Sequence, residues 1–496
     1  MSVQVLTNAD FGDVVACDTV FLALGLDKSF AEHTHKRNGF DLAPVCRAIT
    51  NNYCVDRTSA RDIPGWYAQQ PALQERIGLA ADSLLEAHIY RALDYLDEEA
   101  QNAIANDWLA TLVARYDVDP SLLLGDTTST YFEGDACDLA KHGYSRDHRP
   151  DRPQVNIEIT VTYPGGFPVR QATFAGNIPD QSYAETLIDG VHSAMTPFRE
   201  KATLVLDRGM SRLAHRRRVL HHHWDYVAGL ELEGKVRQTV LALPEEAFGP
   251  ADLIDPDLQV AVLETKVEDV PVRQYIYRSQ AKAQEAERER QRRFAQMPGA
   301  MAALQEKVDK GQYVKAAVIA RRAKAILKEL KVSLYYTVRV GKDNRIRLTL
   351  KEGVLAERRK LDGAFVIETS DLSLSPQQAL TTYRRRNGVE GAVQVLKGLI
   401  EVRPIRHWNP QRVKAHIFLC LVAYLILMVI QHVLRKIGVT KRLDKVLRAL
   451  HQVRLVVMRV SLAGHEELSR QITGLSGETR TWLTALDVDL LSLPAG

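Results

Sequence analysis

The first 120 residues of the chain carry apolar side chains at intervals of three and four positions. The spacing is clear over 42–52, 77–96 and 97–116, and it is typical of helices that bury one face. It predicts a helical N-terminal domain over residues 1–118. A helical module of this size can bind DNA ends or be purely structural, and the sequence leaves both interpretations open.

From residue 121 the pattern changes to runs of β-branched and alternating apolar residues. Four segments of this kind predict strands: 121–134, 155–163, 167–176 and 201–209. A helix is predicted over 182–195, before the last of these strands. Three successive strands, a helix and a fourth strand make an α/β layer with mixed pairing, which we assign to residues 119–225.

Residues 226–370 give mixed signals. Segments that look extended predict further strands: 226–234, 258–266, 270–278 and 365–370. The highly charged stretch 277–297 and the basic run 303–330 predict two solvated helices. Residues 334–351 have a hairpin pattern around the turn GKDN.

A further helix is predicted to begin after Ser375. Ser375 is a favourable N-cap, Pro376 suits the first helical position, and Gln378 completes a capping box. At 100° per residue, four polar side chains of a continuous helix would fall within one arc of about 60°. They are Tyr383, Arg386, Glu390 and Lys397. One carboxylate beside two cations and a phenol is what metal-dependent phosphodiester chemistry would need.

Charge is unevenly distributed along the 496 residues. The whole chain has a net charge of +4, yet residues 383–460 hold 16 lysines and arginines against three acids. Such asymmetry is typical of a part of a protein that binds a polyanion. A solvated, charged helical region would explain it equally well, so charge alone does not decide between the two.

The cysteines and the apolar runs bear on the cellular compartment. Five cysteines without a CxxC pair argue against a zinc site and a disulfide framework, so we expect a reducing, cytoplasmic environment. The N-terminus lacks the basic and apolar pattern of a secretory signal. The uncharged run 417–430 is short for a membrane span of about 20 residues. We interpret it as a buried core helix and expect no membrane role.

Two aspartates occupy positions where a sheet presents its edge to a ligand. Asp126 lies within the first predicted strand, and Asp207 lies at the end of the fourth. With Glu390 they could hold two divalent cations, Mg²⁺ or Mn²⁺, one activating the attacking oxygen and the other stabilising the leaving oxygen. Because the chain has 61 acids, position alone is weak evidence, and both aspartates could be turn caps.

The residues around these acids are more specific. Three motifs contain them: Asp126-Thr-Thr-Ser, Asp207-Arg-Gly-Met, and Tyr383-x2-Arg386-x3-Glu390-x6-Lys397. Three stretches extend the pattern: GYSRDHRPDRPQVNIEITVTYPGGFPV (143–169), 361–408 and RVKAHIFLCLVAYLI (412–426). Together they resemble the DDE transposases of bacterial insertion sequences, in the branch with a Tyr-Arg-Glu-Lys signature. The resemblance covers roughly residues 120–430.

The resemblance implies an α/β fold with a ribonuclease-H-like mixed sheet flanked by helices. In such a core Asp126 would lie on the first strand, Asp207 after the fourth, and Glu390 on a later helix. The gap between Asp207 and Glu390 is too long for the bare core, so we expect a largely β insertion with charged helices over 226–355. Two segments would complete the order: the second part of the core, 356–435, and a basic helical region, 436–496.

The resemblance also implies an activity. The protein would hydrolyse phosphodiester bonds at the ends of the element, and the freed 3′-OH would then attack target DNA. The three acids would be the catalytic metal ligands, while Tyr383, Arg386 and Lys397 would bind DNA near the scissile phosphate. Further cations would follow the DNA backbone: Arg384, Arg403, Arg406, Arg412 and Lys414.

The implied partner is double-stranded DNA, both the terminal inverted repeats and the target. A homodimer on DNA is expected because two ends must be held together, in the cytoplasm at the nucleoid. Two other classes stay open: a domesticated or non-transposing nuclease of the same fold, and a catalytically inactive DNA-binding protein. Terminal inverted repeats around the coding sequence would distinguish a mobile element from a domesticated relative.

Overall fold

The chain divides into two compact units. The computed structural model describes residues 2–34, 41–134, 136–179, 182, 184–250, 255–403, 405–462 and 465–490. Unit 1 consists of Met1–Asp225 and Arg384–Gly496, and unit 2 is Tyr226–Tyr383. Unit 2 is therefore inserted into unit 1 along the chain. Unit 2 extends past residue 355, the predicted end of the insertion.

The secondary structure alternates between helical and extended segments. The strands are β1 Ser2–Asp10, β2 Leu122–Tyr131, β3 Gln154–Thr162, β4 Pro168–Ala175, β5 Thr203–Leu206, β6 Asp225–Leu230, β7 Gly249–Pro250, β8 Leu258–Val267, β9 Val270–Ser279, β10 Tyr336–Val340, β11 Ile346–Leu350, β12 Ala364–Thr369, β13 Arg454–Leu462 and β14 His465–Thr473.

The helices are α1 Gly12–Ala23, α2 Leu26–His33, α3 Ala43–Val55, α4 Ile63–Ala68, α5 Pro71–Ile77, α6 Glu86–Tyr95, α7 Glu98–Tyr116, α8 Ala184–Met195, α9 Leu213–His221, α10 Gly234–Ala242, α11 Gln280–Asp309, α12 Ala316–Glu329, α13 Glu352–Leu361, α14 Pro376–Arg384, α15 Asn387–Gln394, α16 Pro410–Lys436, α17 Leu443–His451 and α18 Gly477–Ala485. The predicted α/β class is confirmed.

The sheet of unit 1 has the order β4-β3-β2-β5. β3 pairs antiparallel with both β2 and β4, whereas β5 pairs parallel with β2. Since a parallel neighbour needs a crossover, α8 lies between β4 and β5 in the chain. Every residue of β3 is buried, polar ones included, and the strand is rich in β-branched residues. The mixed pairing predicted for 119–225 is confirmed.

The long helix α16 forms the centre of the unit 1 core. It packs against α1, α3, α6 and β4. Phe418 on α16 stacks on Trp108, with ring centroids 5.6 Å apart, and the Trp108 indole N–H donates to the Pro168 carbonyl at 3.0 Å. The helix is long and apolar enough to cross a membrane, but 83% of its most apolar stretch is buried inside the protein. That burial agrees with the predicted core helix.

The two ends of the chain pair with each other, which the helical prediction missed. β1 runs antiparallel to β13, from Ser2 opposite Ser461 to Asp10 opposite Arg454, and β13 pairs in turn with β14. The predictions of a helical N-terminal domain over 1–118 and a basic helical region over 436–496 did not include these strands. Their side chains are largely exposed, so pairing between distant segments, and not a local apolar pattern, holds them extended.

Unit 2 combines a sheet with a small helical subdomain. Its strands have the order β6-β12-β9-β8-β7 and pair antiparallel. Helices α11 and α12 pack with the β10–β11 hairpin around a separate apolar cluster: Met301, Leu304, Ala323, Leu327 and Val332. Because β12 pairs with both β6 and β9, it belongs to this unit and not, as predicted, to the second part of the core.

Candidate active site

The predicted signature helix begins as expected but does not continue. The Ser375 backbone N–H donates to Gln378 Oε1 at 2.8 Å, and the Gln378 N–H donates to Ser375 Oγ at 3.3 Å, which confirms the capping box. The segment then divides into α14 and α15, followed by a π-helical turn over Val395–Leu399. Asn387 and Gly388 are poor helix formers and follow directly on the break. The prediction of one continuous polar stripe is therefore wrong.

The sheet brings two distant aspartates to the same place. β2 and β5 are adjacent and parallel, with Leu124 opposite Val205. Asp126 and Asp207 each lie two residues beyond that pair, toward the same end of the sheet. The acids therefore become neighbours although a whole βα segment separates them in sequence.

Helix α15 adds the third acid. α15 packs against β2 and β3, and a Cβ atom on Gly388 would lie 3.2 Å from Leu124 Cδ1, so the glycine permits the close approach. Glu390 follows on the same helix. Asp126, Asp207 and Glu390 line one cleft of about 730 Å³ within unit 1.

The environment of Asp126 disfavours its charged form. Burial, and to a smaller extent the nearby Asp207 carboxylate, raise the pKa of the Asp126 carboxyl to about 6. The Thr127 backbone N–H donates to Asp126 Oδ1 at 2.7 Å, and this bond, with the charges of Arg146 and Arg386, lowers the pKa. A buried carboxylate beside a second one is a place where a bound cation would be stabilised.

The acids are suited to a metal by their chemistry but are not pre-arranged as a cage. Among the described residues, no three or more His, Cys, Asp or Glu side chains are already gathered around one point as metal ligands. The Asp207 carboxylate is instead paired with the Arg386 guanidinium. Since carboxylate oxygens are the ligands that Mg²⁺ and Mn²⁺ prefer, the residues fit a divalent cation that competes with Arg386 for Asp207.

Lys397 does not reach into solvent as a DNA clamp would. Its Nζ donates to the Ser129 backbone carbonyl at 2.5 Å and to Asp147 Oδ1 at 2.8 Å, and Arg403 pairs with the same oxygen. The side chain of Lys397 is 12% exposed and that of Asp147 is 3% exposed. Burial lowers the pKa of Lys397, although Asp147 opposes that effect. The expectation that Lys397 contacts DNA directly therefore conflicts with its buried ion pair.

Tyr383 is also placed differently from the expectation. It is 7% exposed and lies in the interior of unit 2. Any side chain at Gly229 would collide with the Tyr383 ring, so the glycine provides space for it. A ring held in this way is not available to bind DNA. Arg384, the next residue, is exposed.

The other predicted phosphate-binding cations form ion pairs with acids of the same unit. Arg406 lies 3.1 Å from Glu133, and Lys414 donates to Glu98 at 3.1 Å. Arg412 forms a bidentate pair with Asp94 on α6, at 2.7 and 2.8 Å. Part of the basic excess of 383–460 is thus matched by acids of the N-terminal helices and the loop after β2, and it is not all displayed as a polyanion-binding surface.

Sequence reasoning overlooked three residues of the cleft. Arg146, Asp147 and His148 line it together with the three acids. They belong to the polar stretch between β2 and β3, which carries part of the family resemblance. The sequence Ser-Arg-Asp-His-Arg at 145–149 could have indicated them, because it places four consecutive charged or ionisable side chains in one connecting loop.

The family assignment follows from comparison with known proteins. Residues 116–426 match the family model described as "Transposase DDE domain". The chain belongs to this family of transposases. The matched range contains all three acids of the cleft, and it covers more than half of the transposase.

A solved structure and the curated proteins were also compared with this transposase. The structure entitled "Cryo-EM structure of piggyBac transposase synaptic complex with hairpin DNA (SNHP)" has a TM-score of 0.42 and 9% sequence identity. The alignment covers 90% of this chain and 82% of that one. No curated protein matches significantly.

Proposed function

We propose that this transposase cuts DNA at the ends of a bacterial insertion sequence and joins the freed 3′ ends to target DNA. The supporting observation is that Asp126, Asp207 and Glu390, far apart in sequence, line one cleft. The motifs around them resemble the Tyr-Arg-Glu-Lys branch. Terminal inverted repeats and target DNA are the proposed substrates, and a homodimer, in which each copy acts on one end, is the proposed active form.

The proposed cofactor is Mg²⁺ or Mn²⁺, two ions bound by Asp126, Asp207 and Glu390. When bound, such cations activate an attacking oxygen and stabilise the leaving oxygen of a phosphodiester. Burial and the charge of Asp207 both raise the pKa of Asp126, and a cation would relieve this repulsion.

The protein's own residues bind and orient the substrate. Arg386 lies at the cleft, paired with Asp207, so it can transfer its guanidinium from the carboxylate to a DNA phosphate. Its planar donor array suits either anion. We therefore propose that Arg386 is the signature residue that binds DNA, whereas Lys397 holds Ser129 and Asp147 in place.

The test is a strand-cleavage assay on a duplex that carries the terminal repeats flanking the coding sequence. With Mg²⁺, wild type should cleave at the repeat boundary and join the ends to a second duplex. Glu390→Gln should lose both products, because the amide cannot replace a carboxylate ligand. Glu401→Gln is the matched control, since Glu401 lies nearby in sequence but lines a different cavity, and it should retain activity. Equal cleavage by wild type and Glu390→Gln would refute the proposal.

A further inference from the structure

A short turn between β2 and β3 lies at the edge of the acidic cleft. Over residues 145–149 the His148 N–H donates to the Ser145 carbonyl at 3.4 Å, and the Arg149 N–H donates to Ser145 Oγ at 3.0 Å. His148 has a positive φ of 56°, as the tight bend requires. Arg146, Asp147 and His148 of this turn all line the cleft.

Asp147 fixes this turn to the rest of unit 1. Its Oδ1 accepts from Lys397 and Arg403, and Lys397 in turn donates to the Ser129 carbonyl on β2. Among the described residues, Asp147 Oδ2 finds no hydrogen-bond partner. Burying a carboxylate and an ammonium group costs free energy, and a pair of hydrophobic residues in their place would often give a fold of equal or greater stability. The ion pair is therefore better explained by the position it gives to the turn.

The second anchor holds Arg146 itself. Its backbone N–H donates to Ser129 Oγ at 2.8 Å, and its guanidinium donates to Thr127 Oγ1 at 3.1 Å. Thr127 is next to Asp126 on β2, so the guanidinium is held beside the carboxylates. Arg146 also lies over the ring of Tyr144, with its Cζ 5.7 Å from the ring centroid. Its orientation is thus determined from several sides before any substrate binds.

We propose that Arg146 and His148 hold the DNA phosphodiester against the three acids, and that Asp147 is the positioning residue which, through Lys397 and Arg403, keeps the turn in place. This proposal rests on the proposed function. A guanidinium grips two phosphate oxygens at once, and an imidazole N–H can donate to a third acceptor. Lys397 also lines the cleft, and in this proposal its role is to hold Asp147.

Arg149 provides a matched control within the same turn. Its guanidinium forms two bonds of 2.9 Å to Asp151 and lies over the ring of Tyr131, 5.1 Å from the centroid. It is not among the described residues that line the acidic cleft. A change at Arg149 alters the charge of the turn by the same amount as a change at Arg146, but away from the cleft.

The experiment compares single-turnover cleavage and DNA affinity of the full chain, on the terminal-repeat duplex with Mg²⁺. Arg146→Gln and His148→Gln should each lower the cleavage rate by roughly a hundred- to a thousandfold, the cost of removing one preorganised donor. Arg149→Gln should cleave like wild type. If either cleft variant matches Arg149→Gln in both rate and affinity, the proposal is overturned. Because His148 is exposed, its variant decides alone should Arg146→Gln fail to fold.

The positioning role of Asp147 is tested by combining variants. Asp147→Asn should lower the rate, and adding Arg146→Gln should then cost less than about a further twofold, because both changes remove the same interaction. Losses that multiply would overturn the positioning role. Glu390→Gln distinguishes failure of the proposed function from failure of this inference. If Glu390→Gln still cleaves DNA, the proposed function fails. If Glu390→Gln is inactive while Arg146→Gln cleaves like wild type, only this inference fails.

Discussion

At the scale of single residues, His416 makes the stability of the protein depend on pH. It is partly buried on α16, where Nδ1 accepts from the Tyr53 hydroxyl at 2.8 Å and Nε2 donates to the Val402 carbonyl at 3.4 Å. Burial lowers the pKa of His416 from 6.5 to about 4. The native state therefore holds the imidazole neutral.

The sign of the effect follows from that lowered pKa. Below pH 6.5 the imidazole of His416 is protonated in the unfolded chain, whereas in the native state it stays neutral down to about pH 4. The stability contributed by the neutral imidazole is therefore fully present above pH 6.5 and is lost as the pH falls toward 4. The free energy of unfolding should decrease by about 3 kcal/mol across this window because of His416. His416→Gln should remove that part of the slope in urea titrations at several pH values. The same slope in wild type and His416→Gln would contradict the assignment.

Motif spacing could predict which acids share the cleft, because Asp126, Asp207 and Glu390 each lie in a distinctive local sequence. It could not predict the partners of the other signature residues. Lys397 and Tyr383 were expected to contact DNA, but Lys397 forms a buried ion pair with Asp147, and Tyr383 lies in the interior of unit 2. A side chain's partner depends on segments far away in the chain, and the local spacing of a helix does not report them.

At the scale of secondary structure, the two glycines of α15 should respond in opposite ways. Gly388 faces Leu124, whereas no described atom lies within 4 Å of a Cβ built on Gly391. Gly391→Ala should stabilise the protein by up to about 1 kcal/mol, from helix propensity. Gly388→Leu should destabilise it by about 1–3 kcal/mol, because the new side chain separates α15 from β2. Chemical denaturation measures both, and a gain at Gly388 would show that the helix does not pack there.

The pair between Arg412 and Asp94 should act on stability and not on DNA affinity. It joins α16 to α6, with about a third of each side chain exposed. A double-mutant cycle of Arg412→Gln and Asp94→Asn should give a coupling free energy of about 0.5–1 kcal/mol. The DNA affinity of Arg412→Gln, and its dependence on salt, should match those of wild type. A reduced salt dependence would instead assign Arg412 to the DNA surface.

Element positions were predictable where the local pattern is strong. The buried run of β3 and the apolar run of α16 follow directly from composition. The break between α14 and α15 was missed because the capping residues at Ser375 show where the helix begins but not where it ends, and the poor helix formers Asn387 and Gly388 were included in it. β1 was missed although Val3 and Val5 alternate with polar residues, because both valines are exposed and it is the pairing with β13, far away in the chain, that keeps the strand extended.

At the scale of the whole molecule, the insertion was predictable in existence but not in extent. The long gap between Asp207 and Glu390 required an inserted unit, and the structure separates Tyr226–Tyr383 from the rest of the chain as unit 2. The end of the insertion could not be predicted, because nothing in the sequence of β12 shows which unit the strand belongs to. Its pairing with β6 and β9 assigns it to unit 2. Similarly, the basic excess after residue 383 could be counted, but its partial pairing with acids elsewhere in unit 1 could not.

The central claim is that Asp126, Asp207 and Glu390 act as one cleavage site, and single-turnover cleavage of a terminal-repeat duplex in Mg²⁺ tests it most directly. The measurement compares Asp126→Asn, Asp207→Asn and Glu390→Gln with the Asp126→Asn/Glu390→Gln double variant, after unfolding curves have shown that all are folded. Each single variant should lose roughly a thousandfold in rate, and the double variant should lose little more, because residues that act as a unit are not additive. A folded single variant that cleaves at the wild-type rate, or losses that multiply in the double variant, would contradict the claim.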